Sequence, residues 1–242
     1  MLPVIFGLSG ACLTSDEQAF FRDTNPAGYI LFARNIDNPQ QVQGLTDSLK
    51  TLTGRDNLPI LIDQEGGRVA RLVPPHWRVW PPALDFSHAY AQSPERGRAA
   101  AVCNYQALAL DLAALGISVN CAPVLDVPEA GAHDIIGDRA FGAEPAVVAE
   151  LGAALLEGFA LSGVVGVVKH IPGHGRALAD SHEALPRVTA SIEALNRDLA
   201  PFKALAHAPM AMTAHIVYDA WDAEQCATLS PKVIGEVIRG QI

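Results

Sequence analysis

The residues best suited to chemistry lie close together in residues 169–182, KHIPGHGRALADSH. Asp180 and His182 form a pair in which a carboxylate can orient an imidazole for proton transfer near neutral pH. Lys169 and His170 directly follow a valine-rich run, which is typical of a buried parallel strand that presents polar groups at its C-terminal end. We therefore expect a lysine and a histidine fixed at a strand end, with the aspartate–histidine pair on the loop that follows.

The histidines of this segment raise the alternative of a metal site. His170 and His174 are four residues apart, which places two ligands on one face when the segment is a helix. Pro172 and Gly173 stand between them and prevent a helix. We therefore predict no metal here. We also predict no cofactor, because the chain has neither a P-loop nor the G-x-G-x-x-G spacing of a dinucleotide site.

Composition limits the possible function classes. The 242 residues carry a formal net charge of -9, which argues against nucleic acid as a partner. No apolar run is long enough to cross a membrane, and residues 4–7 are predicted to be a first strand rather than a signal peptide. The four cysteines show no CxxC pair, and we interpret them as small buried side chains in a reducing compartment. These features predict a cytoplasmic protein without nucleic-acid or membrane partners.

Strand and helix patterns alternate along the whole chain, which predicts a single α/β domain with a parallel sheet. Thr14 begins a helix-start pattern, and Ser230 followed by Pro231 predicts the start of a last helix over 232–239. Ala- and Leu-rich amphipathic stretches predict further helices over 39–52, 97–115, 146–161 and 191–206. Apolar runs predict strands over 4–6, 29–32, 60–62, 117–122, 164–168 and 210–213.

Polar residues follow nearly every predicted strand. They are Arg34, Asp63, Asp126, Lys169 and His215, in chain order. In an open doubly wound sheet, ligand-binding groups gather near one switch point, whereas a barrel draws its site from loops all round one rim. The distribution therefore favours a TIM-type (β/α)8 barrel.

Six separated motifs then occur in order along the chain: DQEGGRV over 63–69, APVLD over 122–126, DRAFG over 138–142, KHIPGHG over 169–175, DSH over 180–182 and TAHIVY over 213–218. Together they resemble the bacterial β-N-acetylglucosaminidases (β-hexosaminidases) of glycoside hydrolase family 3, over essentially the whole chain. The resemblance implies a TIM-type barrel. It also implies removal of terminal non-reducing N-acetyl-β-glucosamine from muropeptides, by a retaining mechanism, during peptidoglycan recycling in the cytoplasm.

The resemblance also assigns roles to individual residues. Asp63, Arg71, Arg139, Lys169 and His170 match the family's sugar-binding positions. These residue types suit that role, because a carboxylate accepts hydrogen bonds from vicinal hydroxyls while Arg and Lys donate to sugar or acyl oxygens.

The proton-transfer role falls to the loop pair. His182 matches the family's general acid/base, and Asp180 is its orienting partner. Most other retaining glycosidases use a carboxylic acid in this role.

One family feature is missing from the sequence. The family's nucleophile is an aspartate in a Ser-Asp-Asp-like motif at the end of the seventh strand, and residues 1–242 contain no match; Asp219 and Asp222 lie outside such a motif. We therefore expect residues 1–242 to be a family 3 N-terminal barrel domain with about six of the eight units. Two alternatives stay open: a catalytically inactive sugar-binding or regulatory homologue, and an N-acetylglucosaminide phosphorylase, since a histidine acid/base repels phosphate less than a carboxylate does.

Five further polar residues receive structural interpretations. Glu65 is expected to support its loop, Asp126 to order the strand ends, and His174 to shape its loop by hydrogen bonding. Arg68 is interpreted as a surface or ion-pair arginine outside the site. His215 either touches a ligand or caps the sixth strand, and the sequence favours neither.

Overall fold

The structure is a computed structural model that describes residues 1–131, 134–178 and 185–242. Its strands alternate with helices, as the sequence predicts. The strands are β1 (Leu2–Gly7), β2 (Pro26–Leu31), β3 (Ile60–Ile62), β4 (Val119–Asn120), β5 (Val165–Ile171), β6 (Arg187–Val188), β7 (Met210–Thr213) and β8 (Val217–Tyr218). The helices are α1 (Ser15–Thr24), α2 (Pro39–Thr53), α3 (Ala83–Gln92), α4 (Pro94–Ala114), α5 (Pro145–Leu161), α6 (Ile192–Ala204) and α7, which is π-helical over Val233–Ile238 and α-helical over Arg239–Gln241.

The predicted helix boundaries have local causes. Thr14 caps α1 with a capping box, in which its hydroxyl accepts the Glu17 N–H and the Glu17 carboxylate accepts the Thr14 N–H. Ser230 caps the last helix, since its hydroxyl accepts the Val233 N–H. Helix α3 was not predicted from the sequence. It is short. Pro82 precedes its first residue, and Pro94, the first residue of α4, follows shortly after its end.

Six of the described strands form one parallel sheet in the order β1-β2-β3-β4-β5-β7, and β6 pairs with β8 in a second, small parallel sheet. Every strand of the large sheet therefore lies beside the strand of that sheet that precedes it in the chain. A doubly wound sheet reverses its order at a switch point, and this sheet does not. The predicted fold is confirmed: the sheet and its helices are an incomplete TIM-type (β/α)8 barrel.

Alternation along the strands separates two apolar layers. Ile60 and Ile62 face the helices and join the main core, whereas Leu61 packs with Val119, Cys121 and Val167 inside the curve of the sheet. In a strand, the residue two positions after an inward-facing residue also faces inward. This period of two is what directs the side chains after β3 and within β5 towards a common space.

The cysteine interpretation is half correct. Cys121 and Cys226 are buried, but Cys12 and Cys103 are exposed, and all four are free thiols. No helix among the described residues is long and apolar enough to cross a membrane.

The outer strands of the large sheet have open edges. Among the described residues, β1 pairs only with β2, and β7 only with β5. Leu2, Val4 and Ile5 of β1 keep 41%, 36% and 38% of their surface exposed. Unpaired backbone groups beside apolar side chains favour pairing with another chain.

We predict that a polypeptide of residues 1–242 self-associates through these edges. Val4→Lys should shift the sedimentation profile towards monomer, because a charge on an edge strand opposes pairing. Val79→Lys is the matched control, since Val79 is 74% exposed but lies in a loop. A wild-type polypeptide that sediments as a monomer at high concentration would contradict the prediction.

Candidate active site

A cavity of about 450 Å³ opens at the C-terminal ends of the strands. Its polar lining comes from the segment that follows β3, from β5 and the turn after it, from the end of β7 and the residues after it, and from the short 3-10 helix Gly137–Arg139. The polar residues are Asp63, Glu65, Arg68, Arg71, Arg139, Lys169, His170, His174, Thr213 and His215. A larger cavity of about 810 Å³ lies between α1 and α2, but no described ion pair lies in it. The smaller cavity is therefore the candidate site, because there charged groups converge.

All five residues assigned to sugar binding line this one cavity. Asp63 contacts two of the other four through its carboxylate: its Oδ1 lies 3.1 Å from the Lys169 Nζ, and its Oδ2 lies 3.5 Å from the Arg71 Nη2. The Asp63 side chain remains 18% exposed, so ligands can reach it. The structure therefore brings these residues together, and their sugar-binding role stays a prediction.

A buried ion-pair cluster forms the floor of the cavity. The Glu65 Oε1 lies 2.6 Å from the Lys169 Nζ, and its carboxylate accepts two 2.8 Å hydrogen bonds from the Arg139 guanidinium. The three side chains are only 2–10% exposed. Desolvation is costly for each charge, and the paired geometry offsets that cost.

Neighbouring charges keep Glu65 and Lys169 ionised, although both side chains are buried. Burial alone would raise the pKa of Glu65, but Lys169 and Arg139 outweigh it and lower that pKa to about 2. Burial would lower the pKa of Lys169, and the charges of Glu65 and Asp63 raise it instead. Glu65 is thus ionised near neutral pH and holds two cations, which agrees with its predicted structural role.

A second buried carboxylate lies behind the cavity. Asp126 is fully buried; its Oδ2 lies 2.7 Å from the His170 Nδ1, and its Oδ1 accepts the backbone N–H groups of His170 and His174. Burial would raise the pKa of Asp126, but His170 and His174 together hold it below its usual value. The ordering roles expected for Asp126 and His174 agree with these contacts.

Arg68 is an ion-pair arginine, as the sequence analysis expected: it lies 2.9 Å from Asp138 and also donates to the carbonyls of Asp134 and Ile135. It also lines the cavity, because one guanidinium has five donors and can pair with an acid while one side faces the cavity. Its place outside the ligand site stays a prediction. His215 also lines the cavity, which favours its ligand-facing alternative.

The predicted proton-transfer residues Asp180 and His182 lie outside the described residues. The segment leading to them is firmly anchored. The Tyr218 hydroxyl donates to the Gly173 carbonyl at 2.8 Å, and the Arg176 Nε lies 2.6 Å from the Asp198 Oδ2. Gly175 is required here, because a Cβ atom would lie 1.9 Å from the carbonyl oxygen of Val127.

Sequence reasoning missed the apolar wall of the cavity. The signal that could have found it is the period of two at strand ends, because apolar side chains two apart share the interior side of a barrel. The wall consists of Ile30, Phe32, Val69, Ile135, Met212 and Ala214.

Among the described residues, no group of three or more His, Cys, Asp or Glu side chains is placed to hold a metal ion.

We predict that Glu65→Gln lowers the free energy of unfolding by about 3 kcal/mol near neutral pH, because it leaves buried cations without their counter-charge. The pKa of Glu65 is lower in the folded protein than its ordinary value of 4.5, so the carboxylate stabilises the fold above that pH. This stabilisation is lost as the pH falls towards about 2, and the difference between wild type and variant should shrink in the same range.

Urea unfolding at a series of pH values measures this difference. Glu157→Gln is the control, since Glu157 pairs with Arg98 but is 46% exposed. Its effect should stay under about 1 kcal/mol. A difference for Glu65→Gln that grows on acidification has the wrong sign for a carboxylate with a lowered pKa and would refute the argument.

Comparison with known proteins identifies the family. A family model described as "Glycosyl hydrolase family 3 N terminal domain" matches residues 8–242. The β-hexosaminidase of Alkalilimnicola ehrlichii is 39% identical over 243 residues, covering 99% of this chain and 69% of the relative. The β-hexosaminidase of Pseudomonas aeruginosa is 35% identical, with 99% of this chain and 70% of the relative covered.

Solved structures agree with this match. NagZ from Neisseria gonorrhoeae superimposes with a TM-score of 0.91 at 34% identity, covering 98% of this chain and 69% of that protein. The same protein in complex with N-trifluoroacetyl-D-glucosamine gives the same TM-score and identity. The resemblance inferred from the sequence motifs is confirmed: this chain belongs to glycosyl hydrolase family 3 and is, by family, a glycosidase.

Proposed function

We propose that this chain recognises the terminal non-reducing N-acetyl-β-glucosamine unit of peptidoglycan-derived fragments and takes part in its removal by a retaining mechanism. The observation that carries the proposal is the charged cavity in which Asp63 stands between Lys169 and Arg71. Each Asp63 oxygen meets one cation and keeps a further lone pair for a hydroxyl group of a sugar. Cations and a carboxylate in alternation suit a ligand rich in hydroxyl and acyl oxygens.

The size and lining of the cavity support an exo-acting site. At about 450 Å³ it lies towards the lower end of small-molecule pockets, which suits one terminal sugar rather than a polymer. The apolar wall supplies a surface for the ring carbons and an acyl methyl group. The complex of N. gonorrhoeae NagZ with N-trifluoroacetyl-D-glucosamine adds support for an N-acylated glucosamine as the ligand.

The proposed chemistry divides the work between two groups. His182, oriented by Asp180, protonates the glycosidic oxygen as a carboxylate attacks the anomeric carbon and the glycosidic bond breaks. His182 then takes a proton from water, which attacks the anomeric carbon and releases the carboxylate. The described carboxylates in the cavity, Asp63 and Glu65, are both ion-paired. They suit recognition and support, and the attacking carboxylate is the aspartate of the Ser-Asp-Asp-like motif that the family resemblance implies.

The setting of the reaction is part of the proposal. We infer that the substrate is a muropeptide in the cytoplasm and that its cleavage belongs to cell-wall recycling. The four free cysteines support a reducing compartment.

Binding tests recognition directly. We predict that residues 1–242 bind N-acetylglucosamine saturably in titration calorimetry and show no turnover of aryl N-acetyl-β-glucosaminides. Asp63→Asn should weaken binding by about tenfold or more, since it removes the charge between two cations and an acceptor for a hydroxyl group. Asp23→Asn, on the exposed face of α1, is the control and should bind as wild type does. Unchanged binding by Asp63→Asn would contradict the assignment.

Leaving-group dependence tests His182. In an active enzyme that carries this sequence, His182→Ala should lower kcat strongly for alkyl glycosides and much less for activated aryl glycosides, which need little protonation. Equal losses for good and poor leaving groups would count against a general acid. Release of the β-anomer, seen by NMR at early times, is expected for retention.

A further inference from the structure

We propose that Asp126 is a positioning residue that fixes the tautomer of His170, so that the His170 Nε2 accepts a hydrogen bond from a hydroxyl group of the bound sugar. This inference rests on the proposed function and adds to it a residue that does not line the cavity. The observation behind it is the contact between a fully buried carboxylate and one nitrogen of an imidazole whose ring lines the cavity.

The carboxylate is held rigidly by the segment that it orders. Its Oδ1 accepts the His174 N–H at 2.7 Å and the His170 N–H at 3.2 Å. Two backbone donors on one oxygen fix the plane of the carboxylate. The other oxygen is thereby aimed at the His170 Nδ1, 2.7 Å away.

This geometry determines which ring nitrogen carries the proton. An ionised carboxylate only accepts hydrogen bonds, so the short contact requires a proton on Nδ1. The hydrogen bonds that Asp126 accepts from the His170 ring and from two backbone N–H groups favour its ionised form. In the neutral ring Nε2 then has no proton and acts as an acceptor. The His170 side chain is 16% exposed, and it shares the cavity lining with Asp63 and Lys169.

The His170 Nε2 gives the site a hydrogen-bond acceptor among side chains that mostly donate. Lys169, Arg71 and Arg139 can only donate hydrogen bonds, whereas a sugar hydroxyl both donates and accepts. Asp63 accepts on one side, and the His170 Nε2 supplies a neutral acceptor beside it. A neutral acceptor tolerates a nearby carboxylate better than a second free anion would.

The substitution Asp126→Asn separates this role from a purely structural one. The asparagine carbonyl must face the two backbone N–H groups, because they need an acceptor. Its amide NH2 then faces the His170 Nδ1 and donates to it. The ring must move its proton to Nε2, which converts the acceptor in the cavity into a donor. The equivalent substitution at other carboxylate–histidine pairs acts through the wrong tautomer.

The first measurement needs no variant. In 15N-histidine NMR of the wild-type chain, at a pH where the signals show a neutral ring, we expect His170 to be protonated on Nδ1. A proton on Nε2 in wild type would overturn the proposal. In Asp126→Asn the proton should move to Nε2, and an unchanged tautomer would also overturn it.

The second measurement is a double-mutant cycle on N-acetylglucosamine binding. Asp126→Asn should weaken binding about tenfold in wild type and have almost no effect in a His170→Ala background, because it acts through that ring. Equal losses in both backgrounds would show a structural effect and overturn the proposal. If the wild-type chain binds no N-acetylglucosamine, the proposed function fails with the ligand part of this inference, and NMR still decides the tautomer.

Discussion

The ion pair between Lys169 and Glu65 is the interaction on which the rest of the site depends. It joins the end of β5 to the segment after β3, and both side chains are almost completely buried. Arg139 closes the cluster from the short 3-10 helix before α5. A buried charge without its partner is far more costly than the same charge in water. The cluster therefore ties three distant segments of the chain to one geometry, and Asp63 takes its position from the same lysine.

Much of the fold could be predicted because its signals are local. The runs at 60–62 and 210–213 match β3 and β7 residue for residue, since apolar strands stand out between polar turns. The capping residues Thr14 and Ser230 are equally local signals. The predicted strand 117–122 shortens to Val119–Asn120, because only those residues pair regularly with both neighbours. Helix α3 has no such signal, and its place depends on packing against α4, where Gly97 has no side chain to collide with the Tyr90 backbone of α3.

The sequence was enough to predict which residues form the candidate site, but not which of them contact each other. The family resemblance pointed to Asp63, Arg71, Arg139, Lys169 and His170, and the structure brings them to one cavity. No pattern in the sequence could pair Glu65 with Arg139, because 74 residues separate them and the contact depends on the curvature of the sheet. The same holds for Arg68, whose partner Asp138 is 70 residues away. Side-chain chemistry restricts what a residue can do, and tertiary contacts select among the remaining choices.

The consecutive order of the strands has a consequence for synthesis on the ribosome. Each new strand of the large sheet finds its hydrogen-bonding neighbour already made, so the sheet can grow as the chain emerges. The buried ion-pair cluster at the floor of the cavity cannot form step by step in this way, because its members come from three separate segments. Glu65 and Arg139 are synthesised before Lys169, so the buried cluster cannot be complete until β5 has joined the sheet. The charged floor of the cavity is therefore completed only after the first four strands of the large sheet have been made.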